Sequence, residues 1–231
     1  MRLLAIETGA PRASVTLSEA GVTLASADFP RRFNVSRVLA PRLRDLLAEV
    51  GWSLREVEGI AVGLGPGSFT GLRIGVATAK TLAYSLDYPL IGVSSLRALA
   101  RAAEPAVGQV FQVALPGTRQ QLFTAEFRKT SADLETLSPE ADLPWEAFLR
   151  GLAARGPRTL VTADPELAAR VSASGTAAPI RLCPTLASGV ALEGRDRLRA
   201  GERDDPIRLA PRYLRASTPE LRRQAARCAR R

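Results

Sequence analysis

Between residues 63 and 75 the chain reads GLGPGSFTGLRIG, five glycines and a proline separating an apolar run from a helical pattern. A junction like this constrains the fold more than any other segment. A short buried strand must end, the backbone must pass through conformations that favour glycine, and a helix must begin at once. Two uses are open. Gly65 and Gly67 can take positive φ and let amides converge on an anion, with Ser68 or Thr70 capping a helix that starts near Gly71. Alternatively the glycines only let strand and helix approach closely. The spacing matches neither of two familiar phosphate loops: no lysine follows as in GxxxxGK[ST], and Gly71 comes one place too late for GxGxxG.

The flanking patterns set this junction in an α/β layer. Residues 3–8 are mostly apolar, residues 13–18 alternate apolar and hydroxyl side chains, and residues 22–28 alternate again after the turn Glu19-Ala20-Gly21. They predict a three-stranded antiparallel meander whose second strand is half-buried. Val35, Val38, Leu39, Leu43, Leu46, Leu47 and Val50 then recur at helical spacing up to Gly51. Ser53 and Glu56 form a capping-box pair for a short turn. Strands are expected at 59–64 and 89–93, and helices at about 71–86 and 95–103. Past residues 104–108 the texture changes. Strands are expected at 110–114, 121–127 and 159–163, and helices at 144–154, 165–172 and 186–198. The expected division is an N-terminal lobe over 1–105 and a C-terminal lobe over 106–231, with the last helix returning to the first lobe.

The chain contains no histidine. That removes Ser-His-Asp and Cys-His nucleophiles, an HExxH zinc site and any imidazole acid or base. Cys183 and Cys228 lack metal-ligand spacing; one disulfide stays open, and the pattern favours a reducing compartment. No apolar run approaches the ~20 residues of a membrane span. The start, MRLLAIETGA, reads as a strand rather than a leader, so a cytoplasmic protein is expected. The formal charge of +9 is concentrated at one end, where residues 195–231 hold twelve arginines against five acids. Such a cluster attracts a polyanion such as RNA, but basic runs more often lie on solvated faces. Thr218 and Pro219 suit the start of a terminal helix, which explains the tail equally well.

Three stretches, LLAIETGAPRASVTL, GIAVGLGPGSFTGLRIGVATAKTLA and PLIGVSSL, resemble the bacterial TsaB (YeaZ) family over most of residues 1–100, and PRYLR at 211–215 resembles its ending. The resemblance implies a two-lobed ASKHA (actin/Hsp70/sugar-kinase-like) α/β fold with mixed sheets. It also implies a non-catalytic supporting role beside the transferase TsaD, which makes threonylcarbamoyladenosine next to the anticodon of tRNAs reading A-starting codons. The partners it implies are TsaD, the ATPase TsaE, a second copy when TsaD is absent, and tRNA reached through the complex. No resident cofactor follows, and ATP or ADP with Mg2+ at the complex interface stays open. Glu7 and Thr8 occupy the place where active members of the fold hold phosphate and magnesium. With Gly65, Gly67, Ser68, Thr70 and Gly71 they make the candidate nucleotide loop. The alternative function is a nucleotide phosphohydrolase. The small-faced helix with Gly75, Ala79 and Ala83, and the stripe of Val35, Val38, Leu39, Leu43 and Leu46, are the expected partner surface. The other use of both faces is to cover their own sheet. Phe33-Asn34 stands where the family often has a His-Ser or His-Thr pair, and Arg119 stands near its DAR motif, without the aspartate.

Overall fold

The computed structural model describes residues 1–30, 34–117, 120–156 and 158–214. Phe33, Arg119, Cys228 and the arginine-rich tail lie outside the described residues.

The first lobe opens with strands β1 (Arg2–Glu7), β2 (Arg12–Glu19) and β3 (Val22–Pro30). Helix α1 (Val35–Glu49), strand β4 (Gly59–Gly63), helix α2 (Phe69–Leu86), strand β5 (Leu90–Val93) and helix α3 (Ser95–Ala102) follow. The second lobe repeats this order with β6 (Val110–Pro116), β7 (Gln121–Lys129), β8 (Leu134–Pro144), α4 (Trp145–Ala154), β9 (Thr159–Thr162), α5 (Pro165–Ala173), β10 (Ile180–Leu182) and α6 (Ala187–Arg199). The sheets run β3-β2-β1-β4-β5 and β10-β9-β6-β7-β8. In each, a meander is antiparallel, a fourth strand pairs in parallel with its first strand, and a fifth pairs in parallel with the fourth. The two lobes therefore share one topology.

Strand alternation sends Leu4, Ile6, Ile60 and Val62 to one face of the first sheet, and Leu3, Ala5 and Ala61 to the other. The first set packs under α1 and α2, where Leu39, Leu43 and Leu46 are each less than a tenth exposed. Burying each such side chain stabilises the lobe by about 1.5–3 kcal/mol. The opposite face is covered by α6, through Val190, Ala191 and Leu198. That helix arrives from the far end of the chain and buries the hydroxyl face of β2. Ser14, Thr16 and Ser18 are buried rather than solvated, and Ser14 Oγ accepts from the Ala187 amide at 3.1 Å. The half-buried expectation for β2 is thus corrected: both its faces are covered.

Helices α3 and α6 cross between the lobes so closely that a Cβ at Gly189 would meet the Ala98 carbonyl oxygen at 1.9 Å. Helix α3 lies against the second sheet while α6 lies against the first. Ser53 and Glu56 make the expected capping box at the 3₁₀ turn Leu54–Glu56. Two strands were not foreseen: β8, carrying Pro139 and several charges, and β10, three residues long. Among the described residues Cys183 is buried and has no disulfide partner. Among the described residues no helix is long and apolar enough to cross a membrane.

Candidate functional site

The glycine junction meets the turn between β1 and β2, and the fit is tight. A Cβ at Gly67 would sit 2.4 Å from the Gly9 carbonyl oxygen, and one at Gly71 would sit 2.0 Å from that of Thr8. At Gly75 it would collide with Thr8 Oγ1 at 2.1 Å, and at Gly63 with Glu7 Oε2 at 2.1 Å. The glycines are needed because the first hairpin lies directly on the loop and on the first two turns of α2. Gly65, at φ +103°, makes the bend that leads into a cis peptide bond to Pro66.

The loop's polar groups are also engaged internally. The Ser68 amide donates to the Gly9 carbonyl at 2.8 Å, and the Gly65 amide donates to Ser95 Oγ at 3.2 Å. Ser68 caps α2 by accepting from the Gly71 amide at 3.3 Å. Thr8 Oγ1 donates to the Gly71 carbonyl at 2.8 Å. This corrects the reading of Gly65, Gly67, Ser68 and Gly71 as an anion cradle within the chain. The space and three of the amides that an anion would use are occupied by the chain itself. Thr70 stands apart from the others, exposed on the first turn of α2.

Glu7 is fully buried. Its Oε1 accepts from the Gly9 amide at 2.6 Å and the Ala10 amide at 3.3 Å, and its Oε2 accepts from Ser95 Oγ at 2.5 Å. Burial pushes the carboxyl above its ordinary range, against the downward pull of those donors. A carboxylate so enclosed does not fit the role of a magnesium ligand beside a bound phosphate. Ser95 is the site residue that sequence reasoning missed. The only signal was the Ser94-Ser95 pair at the start of α3, where Ser94 caps the helix and Ser95 turns inward.

The C-terminal segment closes over the outside of the loop. The Arg212 amide donates to the Leu64 carbonyl at 2.8 Å. Tyr213 stacks on Phe69 with ring centroids 4.7 Å apart, and Arg73 lies 3.9 Å over the other aromatic partner, Phe69.

The expected partner surface needs a correction as well. Val35, Leu39, Leu43, Leu46, Gly75, Ala79 and Ala83 are buried in the first lobe, and Val38 is half-buried against the same core. Their stripes cover their own sheet. The outward faces carry other side chains: Ser36, Arg37, Ala40 and Arg44 on α1, and Ala77, Thr81 and Tyr84 on α2. Tyr84 is 70% exposed and borders a groove of about 370 Å³ with Lys80, Thr81, Ser85, Pro206 and Ile207. Among the described residues no three or more His, Cys, Asp or Glu side chains gather as a metal site.

Comparison with known proteins fits this architecture. The family model described as TsaD, tRNA N6-adenosine threonylcarbamoyltransferase, matches residues 33–193. The tRNA threonylcarbamoyladenosine biosynthesis protein TsaB of Escherichia coli (strain K12) is 37% identical over 130 residues, 56% of each chain. The matched part thus spans about half the length of that curated relative. The solved structure of YeaZ from Pseudomonas aeruginosa superposes with a TM-score of 0.76 at 27% identity, over 92% of this chain and 99% of that one. A ROK family protein from Streptococcus pneumoniae shares the fold alone, with a TM-score of 0.50 at 12% identity over 87% of this chain and all of that one. The shared architecture is the ASKHA-type α/β fold, and the chain belongs to the family that the TsaD model describes and, within it, to the TsaB (YeaZ) proteins.

Proposed function

We propose that this chain is a non-catalytic subunit that supports a TsaD-type transferase in forming threonylcarbamoyladenosine in tRNA. One observation carries the reading. The hairpin and glycine loop, where active proteins of this fold would hold a phosphate and its metal, are filled by the chain's own backbone and by the bonded Glu7. A chain that spends this region on internal packing is suited to bracing a partner, with the reacting groups carried by that partner. The reading gives the chain no resident cofactor. ATP or ADP with Mg2+ belongs to the assembly, TsaE joins the same assembly, and the surface that receives TsaD receives a second copy in its absence.

The docking surface in this reading is the outer layer of α1 and α2, including Ala77, Thr81 and Tyr84, rather than the buried stripes beneath it. The test is to mix the chain with its cognate TsaD, look for a complex by size exclusion, and assay tRNA modification with and without the chain. A complex, with modification that depends on it, supports the reading. Modification by this chain alone, or no complex with or without nucleotide, rejects it.

A further inference from the structure

After α6 the chain turns back across the first lobe and is fastened there at three places. The Asp204 amide donates to the Leu90 carbonyl at 2.8 Å, and the Asp204 carboxylate accepts from the Gly92 amide at 2.7 Å, which covers the open edge of β5. Lys80, on α2, donates to the carbonyls of Ile207 at 3.0 Å and Leu209 at 2.8 Å. The Arg212 amide is bonded to the Leu64 carbonyl, and Arg73 Nε donates to the Tyr213 hydroxyl at 3.2 Å.

The end of the same segment reaches the second lobe. The Arg212 guanidinium forms an ion pair with Glu140 on β8, Nη2 to Oε2 at 3.6 Å, and that oxygen is shut from solvent. The other carboxylate oxygen accepts the Ser94 hydroxyl from the start of α3, so Glu140 is engaged on both sides. Leu214 packs against the core cluster that contains Phe111, Phe123 and Phe127 of the second sheet. Arg212 and Glu140 line a crevice of about 450 Å³ between the lobes, together with Arg97 and Glu193 of the helix crossing.

We propose that residues 204–214 are a strap that latches the two lobes closed over this crevice, with Arg212 and Leu214 as its catch. Lobes that meet at a helix crossing turn about it unless a further contact holds them. The bonds to Leu90, Gly92, Lys80 and Leu64 fix the course of the strap on the first lobe, so its end cannot follow the second lobe away. Without Arg212, the buried Glu140 oxygen loses its cation, a cost that is relieved when the lobes part and water reaches it. Breaking the catch therefore favours an open arrangement rather than only loosening the chain end. The latch is a property of the chain alone, so its test needs no partner.

The test uses the full chain carrying Cys183→Ala and Cys228→Ala, with nitroxide labels at Glu49→Cys on α1 and Ala169→Cys on α5, two exposed positions in different lobes. Pulsed electron spin resonance reads the distance between them, and thermal melts establish that each variant is folded. The expected result for the parent is one narrow distance. Arg212→Ala combined with Leu214→Ala adds a second distance, its population raised about tenfold or more by the lost ion pair and buried apolar side chain. Glu140→Gln keeps the acceptor for Ser94 but loses the charge, and shifts the populations the same way by less. Arg212 is 57% exposed, so Arg212→Ala alone keeps the test intact if Leu214→Ala perturbs folding. Arg208→Ala is the control, since Arg208 is 89% exposed and pairs with Asp205 inside the strap; it is expected to leave the single distance as it is. Unchanged distances in the Arg212 variants overturn the proposal and leave closure to the helix crossing. An equal effect of Arg208→Ala overturns it too.

Discussion

Ser95 donates its hydroxyl to Glu7 across 2.5 Å, tying the end of the first strand to the helix that crosses between the lobes. Glu7 sits there with its pKa above the ordinary carboxylate value because burial outweighs its three donors. A group whose folded pKa is raised holds its proton more tightly in the folded chain. Its stabilising contribution is complete below the unfolded carboxyl pKa and is lost as pH rises through the folded one. Glu7→Gln keeps the acceptor for Gly9 and Ala10 but removes the titration. The expected outcome of denaturant melts from about pH 4 to about pH 8 is that wild type loses stability relative to the variant as pH rises, then runs parallel to it. A difference independent of pH would mean that Glu7 is not titrating inside the fold.

The glycines that face the first hairpin are predicted to tolerate no side chain. Gly71→Ala places a methyl 2.0 Å from the Thr8 carbonyl oxygen, a backbone atom that cannot step aside alone. Overpacking of this kind destabilises by about 1–3 kcal/mol. Gly151, inside α4 with open space around its missing Cβ, is the control. There, Ala is expected to stabilise by about 0.5–1 kcal/mol through helix propensity alone. Urea melts of the two variants should move in opposite directions. Equal shifts would show that the loop packs less tightly than these contacts require.

The extent to which this molecule can be read from its chain follows from what covers each element. Helices α1 and α2 announce themselves because each has one dominant buried stripe, and β1 and β4 because each is a short, mostly apolar run buried on both faces. The hydroxyl face of β2 misleads because Ser14 and Thr16 look solvated, whereas α6 covers them from about the other end of the chain. Strand β8 hides because it is an edge strand with Pro139, the exposed Glu135 and register shifts opposite Glu126. The glycine motif shows that a close approach occurs, yet only the fold shows that the neighbour is the chain's own hairpin rather than a phosphate. The same limit holds for α1 and α2. Periodicity identifies Leu39 and Ala79 as facing something apolar, and the structure shows that this is their own sheet.

That distinction gives a test of the docking surface. Ala77→Arg adds a long charged side chain on the outer face of α2, where Ala77 is exposed, without touching the core. It is expected to leave the melting temperature nearly unchanged and to weaken association with TsaD by about tenfold or more, as expected for an interface centre. Leu39→Ala should behave in the opposite way, losing about 2–5 kcal/mol of stability from a side chain that is only 2% exposed. Size exclusion and thermal melts on both variants separate the two effects. Intact assembly of Ala77→Arg would move the interface elsewhere.

Glu193 holds the lobes' crossing helices together. It is 4% exposed on α6, and it receives Arg97 Nε on one oxygen and Arg101 Nε on the other, the latter at 2.8 Å. Arg97 continues to Asp133 and to the Leu134 carbonyl in the second lobe, so one carboxylate links α6, α3 and the turn before β8. Coulombic attraction from Glu193 and Asp133 raises the pKa of Arg97 despite its burial, which keeps the guanidinium charged at every working pH. Glu193→Ala removes the buried acceptor shared by Arg97 and Arg101, which keep Asp133 and, for Arg101, Asp196 as partners, and a loss of about 1.5–3 kcal/mol is expected. Glu193→Leu restores volume but not charge and should recover little. Replacing Arg97 and Glu193 together with apolar residues should recover part of the loss, since neither side chain then leaves the other short of its partner. A double mutant as unstable as the sum of the two single variants would show that the two side chains act independently and that the crossing is held by packing at Gly189 and Ala98 instead.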